Sequence, residues 1–256
     1  MPRQTLSHRR EYERRVNRVM DYVQAHLAEE LSLEKLADVA AFSPFHFHRI
    51  FSAITGETLS DFIRRIRLER AASALSVLHE TSVLDIALRC GFSSAATFAR
   101  AFKSHFGMSA TAWREGGARQ WRDRRQARRP RKTDRKPRKA LPAPNRQGPA
   151  MTVRIEDLPP YRVAYVRHVG PYGDGGISAL WVDFERWIRA QGLRQPGTLT
   201  IGIGHDAPTI AAADRLRYDA CLVVDPQYKA DRTVNIADLP GGKYAIMPFE
   251  AGRPTS

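Results

Sequence analysis

The sequence predicts a multidomain chain: an all-α domain over residues 1–115, a basic linker over 116–149, and an α+β domain over 150–256 combining an antiparallel sheet with a helix. Three observations carry this reading. Apolar residues recur at helical spacing from Arg14 to His79, beginning with Val16, Val19, Met20, Val23 and Leu27. Between Gly116 and Pro149 the composition shifts to Arg, Lys and Pro with almost no aliphatic side chains, too little to offset chain entropy by burial. Beyond it, alternating runs at Thr152 to Asp157, Arg162 to His168, Leu199 to Ile203 and Tyr218 to Val224 read as strands. Ile177 to Ala190 reads as a helix with Leu180, Trp181, Phe184, Trp187 and Ile188 facing inward.

Two internal repeats sharpen the picture. In the first half, Leu33, Leu36, Ala37 and Phe42 correspond to Val83, Ile86, Ala87 and Phe92. After one inserted residue, Phe47, Arg49, Phe51, Gly56 and Phe62 correspond to Phe98, Arg100, Phe102, Gly107 and Trp113. Each copy has the parts of a helix-turn-helix: a small crossing residue (Ala37, Ala87), a turn, and a capped second helix. Gly91 suits a left-handed turn and Ser93 or Ser94 a cap, whereas the first copy has Ala41 at the turn and Ser43-Pro44 at the helix start. The second repeat relates Val153, Ile155, Asp157, Leu158, Pro159 and Ala164 to Val234, Ile236, Asp238, Leu239, Pro240 and Ala245, 81 residues later.

The net charge of +14 is unevenly placed. Residues 1–115 carry 16 basic against 13 acidic side chains, 116–149 carry 13 against 2, and 150–256 balance at 12 against 12. The basic excess therefore points to a polyanion partner for the helical half and the linker, with non-specific phosphate contact expected of the linker. The charged N-terminus has no leader-like or bilayer-length apolar run, so a cytoplasmic protein without a membrane partner is expected. Cys90 and Cys221 lie far apart and lack metal-ligand spacing, which disfavours a disulfide framework or structural zinc.

On the second helix of each copy, the apolar side takes Phe47, Ile50, Phe51 and Ile54, then Phe98, Ala101, Phe102 and Phe106. The outward side takes Phe45, His48, Arg49 and Ser52, then Ala96, Thr97, Arg100 and Lys103. These types suit guanine edges, thymine methyls and phosphates, and their duplication argues against merely solvated faces. A long helix from about Leu59 to Leu78 would span roughly 30 Å, near the ~34 Å between successive major-groove faces. The expected partner is double-stranded DNA, read by a monomeric DNA-binding domain. Bending the duplex onto both helices would cost on the order of 1 to 6 kcal/mol.

Val16 to Arg114 closely resembles the AraC/XylS family of bacterial transcription regulators. Ile86-Ala87, Gly91-Phe92, Arg100, Phe102, Gly107, Trp113 and Arg114 follow its signature in order and spacing, with Ala110 where proline is usual. The resemblance implies that Phe45, His48, Arg49, Ala96, Thr97 and Arg100 read bases or contact nearby backbone. It also implies transcription activation through RNA polymerase, at the nucleoid. The C-terminal part is similar to GyrI-like effector-binding domains through Leu158-Pro159, His168-x-Gly170-Pro171-Tyr172, Gly204-His205-Asp206-x-Pro208 and Tyr218-Asp219-Ala220.

That likeness covers about two thirds of such a domain, the second repeat stopping near Gly252. It implies a small-molecule effector site weakened or lost by truncation, and oligomerisation through edge strands. Some similar domains are hydrolases, so the competing expectation is a ligand-binding or hydrolytic protein with a helical scaffold. No catalytic residue, cofactor or metal is expected. His46 and His48 point to different helix sides, Gly202-x-Gly204 sits within a strand, and His205-Asp206 reads as a turn.

Overall fold

The computed structural model describes residues 2–127, 153–173, 175–231 and 233–248. Helix α1 spans Pro2–Ala25 and buries Val16, Val19, Met20 and Val23, and Leu27 in the turn after it completes the stripe marked by the sequence. The first helix-turn-helix is α2 (Leu33–Ala40) and α3 (Pro44–Thr55), followed by α4 (Leu59–Val77). The second is α5 (Val83–Arg89) and α6 (Ala95–Phe106). Segment α7 (Ala110–Ala112) runs into a π-type turn over Trp113–Gly117 that breaks at Gly116, and α8 covers Ala118–Ala127.

The duplication holds in helix length, helix ends and core positions. Helices α3 and α6 are both 12 residues long and end on left-handed Gly56 and Gly107, whose N–H groups donate to the Ser52 and Lys103 carbonyls. Ala37 and Ala87 are fully buried at the crossings, and their carbonyls accept from Phe42 and Phe92 N–H at 3.0 and 3.1 Å. Phe62 and Trp113 fill matching core sites, with the Trp113 Nε1 donating to the Ala72 carbonyl at 3.0 Å. Side-chain caps come from Ser32, Thr58, Ser82, Ser94 and Ser109. Ser43 is the exception: it makes no side-chain cap bond, so α3 starts on the fixed φ of Pro44 alone.

The two turns are not equivalent. Ala41 takes φ +55 and is exposed, its carbonyl accepting from the Arg15 guanidinium at 2.9 Å. Gly91 takes φ +83 where a Cβ would lie 2.0 Å from the Leu27 carbonyl oxygen and 2.7 Å from the Arg67 guanidinium. The surface copy tolerates alanine at some conformational cost; the packed copy has room only for glycine.

Residues 118–127 depart from the linker expected at 116–149. They form α8, and Trp121 packs edge-on to Phe106 and beside Trp113, extending the helical core. One aromatic side chain is enough to dock an otherwise charged stretch. The remainder of that expected linker, 128–149, lies outside the described residues.

In the C-terminal domain, β1 (Arg154–Leu158), β2 (Tyr161–Val169), α9 (Gly176–Ala190), β3 (Thr200–Gly204), β4 (Arg217–Val223), β5 (Asn235–Leu239) and β6 (Gly242–Ile246) follow in order. The main sheet runs β3-β4-β2-β5, all antiparallel, and β1 pairs with β6. The 81-residue repeat explains this pattern. β1 pairs with β6 in the same register as β5 with β2, Leu158↔Gly242 matching Leu239↔Tyr161. Each copy thus lends its first strand to the second strand of the other. Helix α9 buries Phe184 and Ile188 against one sheet face, beside Ala164, Ala220 and Leu222. Gly202 is the spot where Tyr218 crosses β3, since a Cβ there would meet its hydroxyl at 2.0 Å. This close approach gives the Gly202-x-Gly204 pair a packing role.

Candidate nucleic-acid interface

Helices α3 and α6 each present a polar side to solvent. Phe45, His48 and Arg49 are exposed on α3, with Phe45 76% exposed and the Arg49 guanidinium 5.8 Å from its ring centre. Ala96, Thr97, Arg100 and Lys103 are exposed on α6. Ser52 differs, being half-buried with its hydroxyl shielded from solvent. The two histidines do separate: His46 packs edge-on to Tyr12 and Phe42, while His48 faces out. Behind these faces, Phe47, Phe51, Phe98, Phe102 and Phe106 are buried, so both helices are held by their aromatic backs. Ile54, expected inward, is 37% exposed and borders the C-terminal domain. Helix α4 separates the two units with 19 residues, about 28 Å at ~1.5 Å per residue.

The C-terminal domain grips this helical unit through charges the sequence reading missed. Arg167 on β2 is 1% exposed; it donates to both oxygens of Asp219 at 2.7 Å and to Asp21 of α1 at 2.7 Å. Burial alone would raise the Asp219 carboxyl, but hydrogen bonds from Arg167 and His205 outweigh it and hold the group below its ordinary value. The Tyr165 hydroxyl donates to Asp21, and the Asn235 amide donates to the Arg14 carbonyl at 3.0 Å and to Tyr165 at 3.1 Å. Arg215 donates to the Thr55 carbonyl at the C-terminal end of α3 and lies 3.4 Å from Glu57. That is the favourable end of a helix for a cation. His205 and Asp206 take separate partners, Asp219 at 2.7 Å and Arg217 at 2.7 Å, and serve this interface.

One acid in this contact is under-compensated. Arg65 gives its closer contact to Glu57 at 2.6 Å and reaches Glu69 at 3.2 Å. Burial therefore pushes Glu69 from 4.5 up to about 7; Arg65 and Arg217 oppose the rise and Asp206 adds to it. The native state then holds a proton that the unfolded chain releases between these values, so stability falls as pH rises from 4.5 to about 7 and levels off above. Glu69→Gln is expected to remove this slope, worth on the order of 3 kcal/mol. Urea unfolding of both proteins at several pH values measures it; parallel slopes in the two would contradict the assignment.

A family model described as "Helix-turn-helix domain" matches residues 36–116, and one described as "GyrI-like small molecule binding domain" matches residues 151–254. "Probable transcription factor PqrA" of Proteus vulgaris is 38% identical over 104 residues, covering 40% of this chain and 84% of that protein. The chain belongs to the AraC/XylS family of transcriptional regulators. This regulator joins an AraC-type DNA-binding domain to a GyrI-like domain. It is also 39% identical over 103 residues to "Uncharacterized HTH-type transcriptional regulator YbfP" of Bacillus subtilis, covering 40% of this chain and 35% of that one. A Bacillus subtilis relative described as "SPbeta prophage-derived putative transcriptional regulator YosT" is 34% identical over 97 residues. The regulator spans 35% and 64% of the lengths of these two Bacillus relatives. Among solved structures, the DNA-binding domain of AdpA in complex with a target DNA is 30% identical, covering 43% of this chain and 96% of that chain with a TM-score of 0.38. Among the described residues no helix is long and apolar enough to cross a membrane.

Proposed function

We propose that the regulator reads double-stranded DNA by placing α3 and α6 in adjacent major-groove segments, with α4 as the rigid spacer. The observation that carries this is the matched pair of outward faces: Arg49 on α3 and Arg100 on α6 stand at equivalent repeat positions, both exposed, each backed by buried phenylalanines. Phe45, His48, Ala96 and Thr97 supply the neighbouring base contacts and Lys103 a phosphate contact, while Ser52 lies at the margin with a shielded hydroxyl. In this reading one chain suffices for DNA, and transcription is activated through contact with RNA polymerase in the cytoplasm. A second copy would join at the β1–β6 ribbon, where Ile155 is 65% exposed.

A small-molecule effector modulates the regulator through the GyrI-like domain. The support is Arg215, which ties that domain to the last turn of α3 while leaving the base-reading first turns free. Substituting Arg49 or Arg100 by Ala is expected to cost ~1 to 3 kcal/mol of specific binding and to relax selectivity at one base pair. Fluorescence anisotropy on a selected duplex and its single-base variants tests this. Equal losses on specific and random DNA would reduce both arginines to phosphate contacts.

A further inference from the structure

A cavity of about 860 Å³ lies between the two domains. Arg14 of α1 with Ile54 and Thr55 of α3 form one wall, and Tyr165 and Arg167 of β2 with Trp187 of α9 form the other. Eight arginines line it against three acidic residues, Glu13, Glu57 and Asp183. Most of these arginines already hold a carboxylate, some through acids such as Asp219, Asp21 and Asp206. Three nevertheless keep a buried nitrogen with no hydrogen-bond partner among the described residues: Nε of Arg14, Nη1 of Arg167 and Nη1 of Arg217. The last two side chains are 1% and 3% exposed. Buried donors of this kind call for an acceptor, and arginine cannot shed its proton to escape the demand.

Besides polar Asn17, Thr55, Thr233 and Asn235, the lining has an apolar wall. Trp187 is held in place by stacking on Phe184 and by donating from Nε1 to Asp231 at 3.1 Å, and Leu180 and Ile54 border it. The size falls within the range of sites for small organic molecules. We propose that this cavity binds an amphipathic organic anion, a carboxylate on an aromatic body, with the carboxylate on the arginine-lined wall and the ring against Trp187 and Leu180. A bare inorganic anion would leave the apolar wall without a contact.

The proposal rests on the effector-modulated reading above and gives that effector a chemical class. Ile54, Thr55 and Arg215 all border the cavity, so its occupant adjoins the end of α3 and the side chain that holds it. Binding then shifts the first reading helix without contacting DNA.

Isothermal titration of the full chain with 2-naphthoate, without DNA, tests the site. One molecule should bind per chain. Neutral 2-naphthamide and inorganic phosphate should each bind about tenfold or more weakly. Arg14→Gln should lose about tenfold, and Arg14→Lys, which keeps the positive charge, should retain most of the affinity. Equal uptake of naphthoate and naphthamide, or no uptake by a chain that still binds its selected duplex, overturns the proposal. Loss of selective DNA binding by the unliganded chain would instead sink the reading of α3 and α6. Naphthoate uptake that leaves duplex affinity unchanged would refute the coupling.

Discussion

Arg167→Leu is expected to destabilise the regulator by about 3 to 5 kcal/mol, because removing one partner of a buried ion pair leaves an uncompensated charge. Asp219 would keep only His205 at 2.7 Å, in a site where burial already works against its charge. Asp21 would keep only the Tyr165 hydroxyl among the bonds described above. The damage should fall on the contact between domains as well as on the sheet, since Arg167 links Asp219 of β4 to Asp21 of α1. Urea unfolding followed by helical signal, and by fluorescence in a Trp113→Phe, Trp121→Phe background whose remaining tryptophans are Trp181 and Trp187 of the C-terminal domain, would show the C-terminal transition moving first. The double variant Arg167→Leu with Asp219→Leu should recover much of the loss, because no buried charge is orphaned in the sheet and Asp21, 32% exposed, keeps access to water. A single variant costing under about 1 kcal/mol would mean that water reaches this pair and that the domains are not locked by it.

Gly91→Ala should be nearly as damaging, for steric reasons. The new methyl would lie 2.0 Å from the Leu27 carbonyl oxygen, the same atom that accepts from Arg67 Nε at 3.0 Å. Arg67 also donates to the Glu29 carbonyl at 2.9 Å, so the second turn packs on the connection between α1 and α2. Left-handed strain of about 1 to 2 kcal/mol then adds to roughly 1 to 3 kcal/mol of overpacking. The midpoint of denaturant unfolding measures the sum. The matched change at Ala41, to glycine, should move the midpoint the other way, since Ala41 carries φ +55 on an open surface. If both substitutions were neutral, the account of the two turns would be wrong.

The repeats made most of the helical domain legible. Phe47 and Phe98, Gly56 and Gly107, Phe62 and Trp113 occupy equivalent sites because a packed unit duplicated in sequence has only one way to bury the same side chains. The 81-residue repeat likewise carries the strand pairing, whose symmetric register follows once β1 and β5 are equivalent. What sequence could not reveal is partnership at long range. Nothing in the sequence sets Asp21, Glu69 or Arg167 apart from other charged residues, because a charge at an interface and a charge in water leave the same periodicity. Trp121 was hidden for the opposite reason, being one large ring in a stretch whose average composition is that of a linker. Local pattern tells which face is wet in isolation, and only the fold tells what covers it.

The account stands or falls on α3 and α6 reading one duplex together. Selecting bound sequences from a random pool with the full chain, then measuring affinity after inserting about half a helical turn between the selected blocks, tests this most directly. The prediction is two short blocks with centres ~10 base pairs apart, and an affinity that falls toward the non-specific level on insertion, because α4 cannot stretch. Recovery of a single block, or full affinity after the insertion, would contradict it.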